Sequence, residues 1–190
     1  DDDETNDEQW PYRVKFSGTD LLGNVTIPEG DPTDVETSLE VSLDASSESY
    51  PLHTFNLLNE GVMQKIAKAF KLQPSEIASA TLDAGTVKAD GFSGPAEGKV
   101  AVGLTNPDGK VSYAYSANGI GFWIAADGTA SSWGDAPIYY EYDASGYGLT
   151  VGHNPGHSEK GKTYTIKPTM VYNKGGKLHK AVITIKMKFA

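Results

Sequence analysis

The sequence predicts a mainly β fold, an antiparallel β-sandwich with one short helical insertion, and three observations carry that reading. Apolar and polar residues alternate in short runs, Val35-Thr37-Leu39-Val41-Leu43 being the cleanest, and a period of two buries one face of a strand. Turn residues separate the runs: Asn106-Pro107-Asp108-Gly109, Asp127-Gly128, Gly134-Asp135, Asn154-Pro155-Gly156 and Asn173-Lys174-Gly175-Gly176. Proline pre-sets one turn dihedral, glycine supplies the left-handed one, and Asn or Asp closes the turn through its side chain. A chain with 21 Gly, 10 Pro and 10 Tyr suits many turns and short strands, whereas a helical bundle would show long Leu/Ala/Glu/Lys runs.

Taken in order, residues 1–9 (DDDETNDEQ) hold no apolar side chain and repel one another, so an acidic, solvated tail is expected, followed by a single domain over 10–190. Tyr12, Val14 and Phe16 alternate with Arg13, Lys15 and Ser17, which predicts a first strand. A short strand over 21–27, a proline-punctuated loop over 28–32 and the strand over 35–43 follow. The period then becomes that of a helix, with Val62, Ile66, Ala69 and Phe70 on one face and Lys65, Lys68 and Lys71 mostly outside. Asn59 is the expected N-cap, Glu60 suits the first turn, and Pro74 opens a second turn of helix. This insertion, about 59–79, is expected to cover one open end or face of the sheet. Strands over 99–105 and 111–115 form a hairpin about Asn106-Pro107-Asp108-Gly109; others are expected over 121–125, 138–143, 147–152, 163–172 and 182–189. In the last of these Ile183, Ile185, Met187 and Phe189 form the buried side.

Charge and composition exclude several classes of function. Six of the 25 acids lie within the first eight residues, which leaves 19 acids against 16 bases, a net −3, in the remainder. Arg13 is the only arginine, and without a basic cluster interleaved with aromatics nucleic-acid binding has no electrostatic support. The absence of cysteine removes disulfides and thiolate metal sites. No apolar run approaches 18 residues, the length a membrane-spanning helix needs.

Catalytic signatures are scarce. His153 and His157 stand four apart across an Asn-Pro-Gly turn, not on one helix face as a zinc motif requires. No G-x-S-x-G nucleophile elbow is present. Asp127, Asp135, Glu141 and Asp143 could supply the two carboxylates of a glycoside hydrolase, yet any chain so rich in acids offers such pairs. No cofactor is expected. Asp127 and Asp135 are the oxygen donors a calcium ion would take, the alternative being that both simply form turns. Sugar binding needs less machinery: an aromatic face for the C–H surface of the ring and nearby polar groups for its hydroxyls. Trp133, Asp135, Tyr139, Tyr147, Asn154 and His157 form the expected ligand-binding set. Trp123 straddles the sheet with Phe122, and Trp133 sits among turn residues; for both, core and surface remain open.

The order Gly121-Phe122-Trp123, Asp127-Gly128, Trp133-Gly134-Asp135, Val151-Gly152-His153-Asn154-Pro155-Gly156, Gly161-Lys162-Thr163-Tyr164 and Val171-Tyr172 resembles an uncharacterised domain family of secreted or surface lipoproteins of gut Bacteroidetes, over about residues 35–190. The acidic start resembles the segment that follows the lipidated cysteine in such proteins, a residue this sequence does not contain. The resemblance implies export to the cell surface or outer membrane of a Gram-negative bacterium and a part in glycan capture. A non-catalytic domain that binds polysaccharide is therefore the expected function, with a structural or protein-binding module of a surface assembly as the alternative and a glycoside hydrolase as a distant one.

Overall fold

The computed structural model describes residues 21–26, 35–46, 48, 52–80, 95, 97–114, 120–143, 146–175 and 177–190. The acidic tail, the strand expected over Tyr12–Phe16 and the loop over 28–32 lie outside the described residues. Among the described residues twelve strands and two helices follow one another as β1 (Leu21–Thr26), β2 (Val35–Leu43), β3 (Leu52–Asn56), α1 (Val62–Phe70), α2 (Pro74–Ala80), β4 (Val100–Thr105), β5 (Lys110–Ala114), β6 (Ile120–Ile124), β7 (Ala130–Ser131), β8 (Ile138–Asp143), β9 (Gly148–His153), β10 (Thr163–Ile166), β11 (Pro168–Lys174) and β12 (Lys177–Phe189).

The strands form two sheets, a mainly β sandwich as the alternation predicts. The larger sheet joins β1, β5, β4, β11 and β12, with β10 and β2 also on β12; the smaller runs β3-β9-β8-β6-β7. The expected strand over 163–172 is two strands in one register, since Ile166 pairs with Ile185 and Thr169 with Val182. The ladder breaks at Lys167, whose carbonyl turns aside to accept the Thr105 N–H and the Thr169 hydroxyl. Among the described residues antiparallel pairing holds except at one place: β2 runs parallel to β12, from Val35 opposite Ala181 to Leu43 opposite Phe189. That departs from the fully antiparallel expectation. Both strands alternate as the sequence requires, β2 burying Leu43 and half-burying Val35, Thr37, Leu39 and Val41, and β12 burying Ile183, Ile185, Met187 and Phe189.

The main core lies between the sheets. Val100, Val102, Leu104, Met170, Ile183 and Ile185 come from the larger sheet and meet Phe122, Ile124, Ile138, Tyr140, Leu149 and Val151 from the smaller. The Tyr140 hydroxyl, fully buried, donates to the Gly103 carbonyl and so ties the two sheets together. Helix α1 adds Val62, Met63, Ile66, Ala67 and Phe70 to this core, and Phe70 packs against Tyr172 with ring centroids 5.4 Å apart. The helical insertion thus covers the sandwich as its period implies.

The ends of α1 differ from expectation in one respect. Its N-cap is Gly61, at φ +76° with no capping side chain, because Asn56 rather than Asn59 closes the preceding turn. Asn56 Oδ1 accepts the backbone N–H groups of Leu58 and Asn59 at 3.1 and 2.9 Å, which leaves Asn59 as a donor to the turn instead of a cap. At the other end Lys71 takes the left-handed conformation (φ 59°) and its N–H returns to the Ala67 and Lys68 carbonyls. The second helix starts at Pro74 as predicted, and Glu76 reaches back to the Gln73 N–H at 2.6 Å, the return half of a capping box.

Candidate functional site

The β6–β7 loop, the β7–β8 loop and the β9–β10 loop gather at one end of the sandwich, and hydrogen bonds from two buried asparagines fix them. Asn106 sends Nδ2 to Ser112 Oγ (2.9 Å) and to the Lys110 carbonyl (3.2 Å), while its Oδ1 accepts the Ala130 N–H at 3.2 Å. It thereby ties the β4–β5 turn to β7. Asn154 sends Nδ2 to the carbonyls of Trp133 (2.8 Å) and Ala136 (2.9 Å), and its N–H bonds to the Pro137 carbonyl. An asparagine in this position satisfies the backbone of a loop that no strand pairs. Beneath it His153 is buried, bonded through Nδ1 to Ser158 and packed near the Phe189 ring.

On this support Trp133 stands out. It is the one large apolar side chain exposed among the described residues, at 37%, although its backbone is pinned from below by Asn154. Asp135 and His157 are exposed on the same group of loops; Asp135 accepts from Ser132 Oγ at 3.4 Å, and the His157 N–H closes the Asn154 turn. Asp127 belongs to this end too. Its Oδ1 accepts both the N–H and the hydroxyl of Thr129, at 2.9 and 2.6 Å, and those bonds hold its carboxyl below the usual range. The oxygen named as a calcium donor is therefore engaged in its own turn, and among the described residues no group of three or more His, Asp or Glu side chains converges on a cation position.

The expected ligand set is divided by the structure. Trp133, Asp135, Asn154 and His157 lie at one end, Asn154 as a buried clamp. Tyr147 lies at the other, in the β8–β9 turn, since β8 and β9 run the length of the sheet between them. It is half-buried, has φ +53°, packs on the main core, and accepts the Leu57 N–H at 2.9 Å. Tyr139 is on the outer face of the smaller sheet and 0% exposed, with the Trp123 ring 5.1 Å away; Trp123 is accordingly core. Tyr140 and Tyr142 point the other way, between the sheets. Alternation in Tyr139-Tyr140-Glu141-Tyr142-Asp143 puts Glu141 and Asp143 on the outer face with Tyr139.

That outer face holds a feature the sequence showed only as one carboxylate among many. Across the strands Gly121 pairs with Glu141, Glu141 with Thr150 and Thr150 with Thr54, and the two threonine hydroxyls share a 2.7 Å hydrogen bond. Gly121 is what lets Glu141 lie flat, because a Cβ there would come 2.9 Å from Glu141 Cβ and 2.6 Å from the Tyr140 carbonyl. Tyr139 likewise lies over Gly152, whose added Cβ would fall 2.5 Å from the tyrosine hydroxyl. Glu141 Oε2 is buried and has no hydrogen-bond partner. Burial, assisted by the neighbouring Asp143, pushes the Glu141 carboxyl up to about 8. The signal was present in the glycines opposite it, but only pairing could reveal which glycine faced which strand.

Comparison with known proteins gives a family and nothing finer. A family described as a domain of unknown function (DUF4859) matches residues 49–177, a span narrower than the 35–190 of the sequence resemblance. Strand β2 and nearly all of β12 fall outside it. No curated protein and no solved structure matches the chain.

Proposed function

Because the chain belongs to the family described as a domain of unknown function (DUF4859), a description that assigns no activity, we propose a function from its own geometry: a non-catalytic module that captures glycan at a surface centred on Trp133. The single observation that carries this reading is an exposed tryptophan on an anchored loop. An indole held at the surface offers a partner a large, flat contact area, and the Asn154 clamp removes much of the ordering entropy that binding would otherwise cost. Asp135 and His157 supply polar groups beside it. A flat aromatic surface with polar neighbours suits the C–H face and hydroxyls of a sugar ring.

The wider setting of this reading is a surface lipoprotein of a gut Bacteroidetes bacterium, tethered at its N-terminal side and exported to the outer membrane, with polysaccharide as its partner and no resident cofactor. The acid-rich composition of residues 1–9, which resembles a segment of such lipoproteins, supports it. Affinity per site is expected to be weak, since a shallow aromatic surface buries little area and capture relies on many copies.

Trp133→Ala should abolish retention on immobilised polysaccharide while the far-UV spectrum and melting temperature stay near those of the parent. Equal retention by the variant, or no retention of the parent on a broad panel, refutes the platform. One observation favours a protein-binding module as a second reading: among the described residues β2 pairs only with β12, so a nine-residue strand borders the larger sheet where a partner strand could add.

A further inference from the structure

We propose that the crevice between the C-terminal end of α1 and the β11–β12 hairpin is a second binding site, taking a small organic anion, a carboxylate on a body of about one ring such as a sugar acid, through Lys71 and Lys174. It lies on other residues than the Trp133 surface and at the opposite end of the sandwich. Strand β4 starts at Val100, opposite Tyr172 beside the hairpin, and ends at Thr105, where Asn106 ties into β7 next to the Trp133 loop.

Charge in the sequence is segregated towards this place. The chain carries a net −9, yet residues 61–75 hold three lysines and no acid, and residues 160–190 hold eight lysines and no acid. The fold brings these two stretches together, since α1 comes from the first and the β11–β12 hairpin from the second, with Phe70 packed on Tyr172 at their junction. Tyr172 pairs with His179 and Lys174 with Lys177; cross-strand partners share a face, as do residues two apart along a strand. The inward face that buries Tyr172 therefore runs out towards the hairpin end as His179 and Lys174, against the end of α1. There Ala69, Phe70, Lys71, Lys174 and His179 line a cavity of about 240 Å³, room for roughly eight waters.

Lys71 is held where a lysine is not the favoured residue. Its φ is 59°, the left-handed conformation that glycine usually supplies at a helix end, and strain of this kind gathers at binding sites. Lys71 and Lys174 are both exposed, and neither ammonium group has an ion pair among the described residues. The negative end of α1 is closed off, because the Lys71 and Leu72 N–H groups take up the Lys68 and Ala67 carbonyls. Of the carboxylates at this end, Glu76 accepts the Gln73 N–H and Glu97 the Gly175 N–H. Two accessible ammonium groups from different elements, on one cavity, suit an anionic oxygen group, which lysine meets as a point charge. Half-buried Ala69 and His179, with the lysine stems, give the body of the ligand its wall. The volume is below the roughly 300 Å³ at which sites for drug-sized ligands begin, which limits that body to about one ring.

The test is a titration of the ¹⁵N-labelled full chain, followed by amide chemical shifts at about pH 7, where carboxylates and lysines are both charged. Sodium glucuronate is the probe, with glucose as its neutral counterpart and sodium sulfate as a bare anion. Glucuronate should give saturable shifts at Ala69, Phe70, Lys71, Lys174 and His179, glucose none there, and sulfate weaker ones; the glucuronate response should fade in about 0.5 M sodium chloride and persist in Trp133→Ala. Lys71→Gln and Lys174→Gln change exposed side chains, and each should lower the affinity about two- to five-fold. Lys71→Gly separates binding from folding: it releases the left-handed backbone, so it should melt no earlier than the parent while binding as weakly as Lys71→Gln. The proposal is overturned if glucuronate leaves these amides unmoved, if glucose moves them equally, if sulfate binds as tightly as glucuronate, or if both glutamine variants bind as the parent does. Glucuronate shifts confined to residues 132–136 would also overturn it, and would assign the sugar acid to the Trp133 surface.

Discussion

Glu141→Gln measures how far the fold raises the Glu141 carboxyl, through stability alone and without any ligand. The folded-state value is pushed from an ordinary 4.5 up to about 8 by burial first and the Asp143 charge second. Its sign is fixed by linkage: the folded chain holds this proton more tightly than the unfolded one, so stability is full below about pH 4.5 and declines as pH rises towards 8, where the folded carboxyl also ionises. At about 1.4 kcal/mol per pH unit the ceiling is roughly 5 kcal/mol. Partial exposure of the side chain and solvent screening reduce that to about 2–3 kcal/mol.

Glutamine keeps the shape and hydrogen-bonding capacity of the neutral carboxyl but cannot ionise. Urea unfolding of parent and variant, followed by tryptophan fluorescence at about pH 5, 6, 7, 8 and 9, should therefore show near-equal stability at the acid end. The variant should gain about 2–3 kcal/mol on the parent by about pH 8. Every other titratable group is common to both proteins and cancels in the difference. A difference that stays flat from about pH 5 to 9 would show that Glu141 ionises freely and would refute its burial as a neutral acid.

Phe70→Ala should cost about 3–5 kcal/mol in urea unfolding, because Phe70 is buried in the main core against Tyr172 and its removal leaves a cavity; a change below about 1 kcal/mol would place the insertion outside the core. Asn154→Ala strips the Trp133 and Ala136 carbonyls of their donor. It should destabilise by about 1–3 kcal/mol and also weaken retention on polysaccharide, even though Trp133 is untouched. Retention at the parent level in that variant would show that the loop needs no anchoring to work.

How much of this was legible depended on whether the deciding contact was local. The strand over 138–143 and the hairpin about Asn106-Pro107-Asp108-Gly109 were readable because alternation and turn chemistry act within a few residues. The N-cap of α1 was misplaced by two residues, since Asn59 has the chemistry of a cap but the chain enters the helix through the left-handed Gly61, after a turn that Asn56 closes. The parallel β2–β12 pair joins positions some 146 apart in sequence, as Val35 opposite Ala181 shows, and no local period encodes a partner. At the site, Tyr139 and Tyr140 are chemically identical neighbours on opposite faces of one strand. Both faces of the smaller sheet bury aromatic rings, so polarity could not tell which tyrosine met solvent, and neither does. Trp133 was ambiguous for the opposite reason, standing in a loop where no period applies.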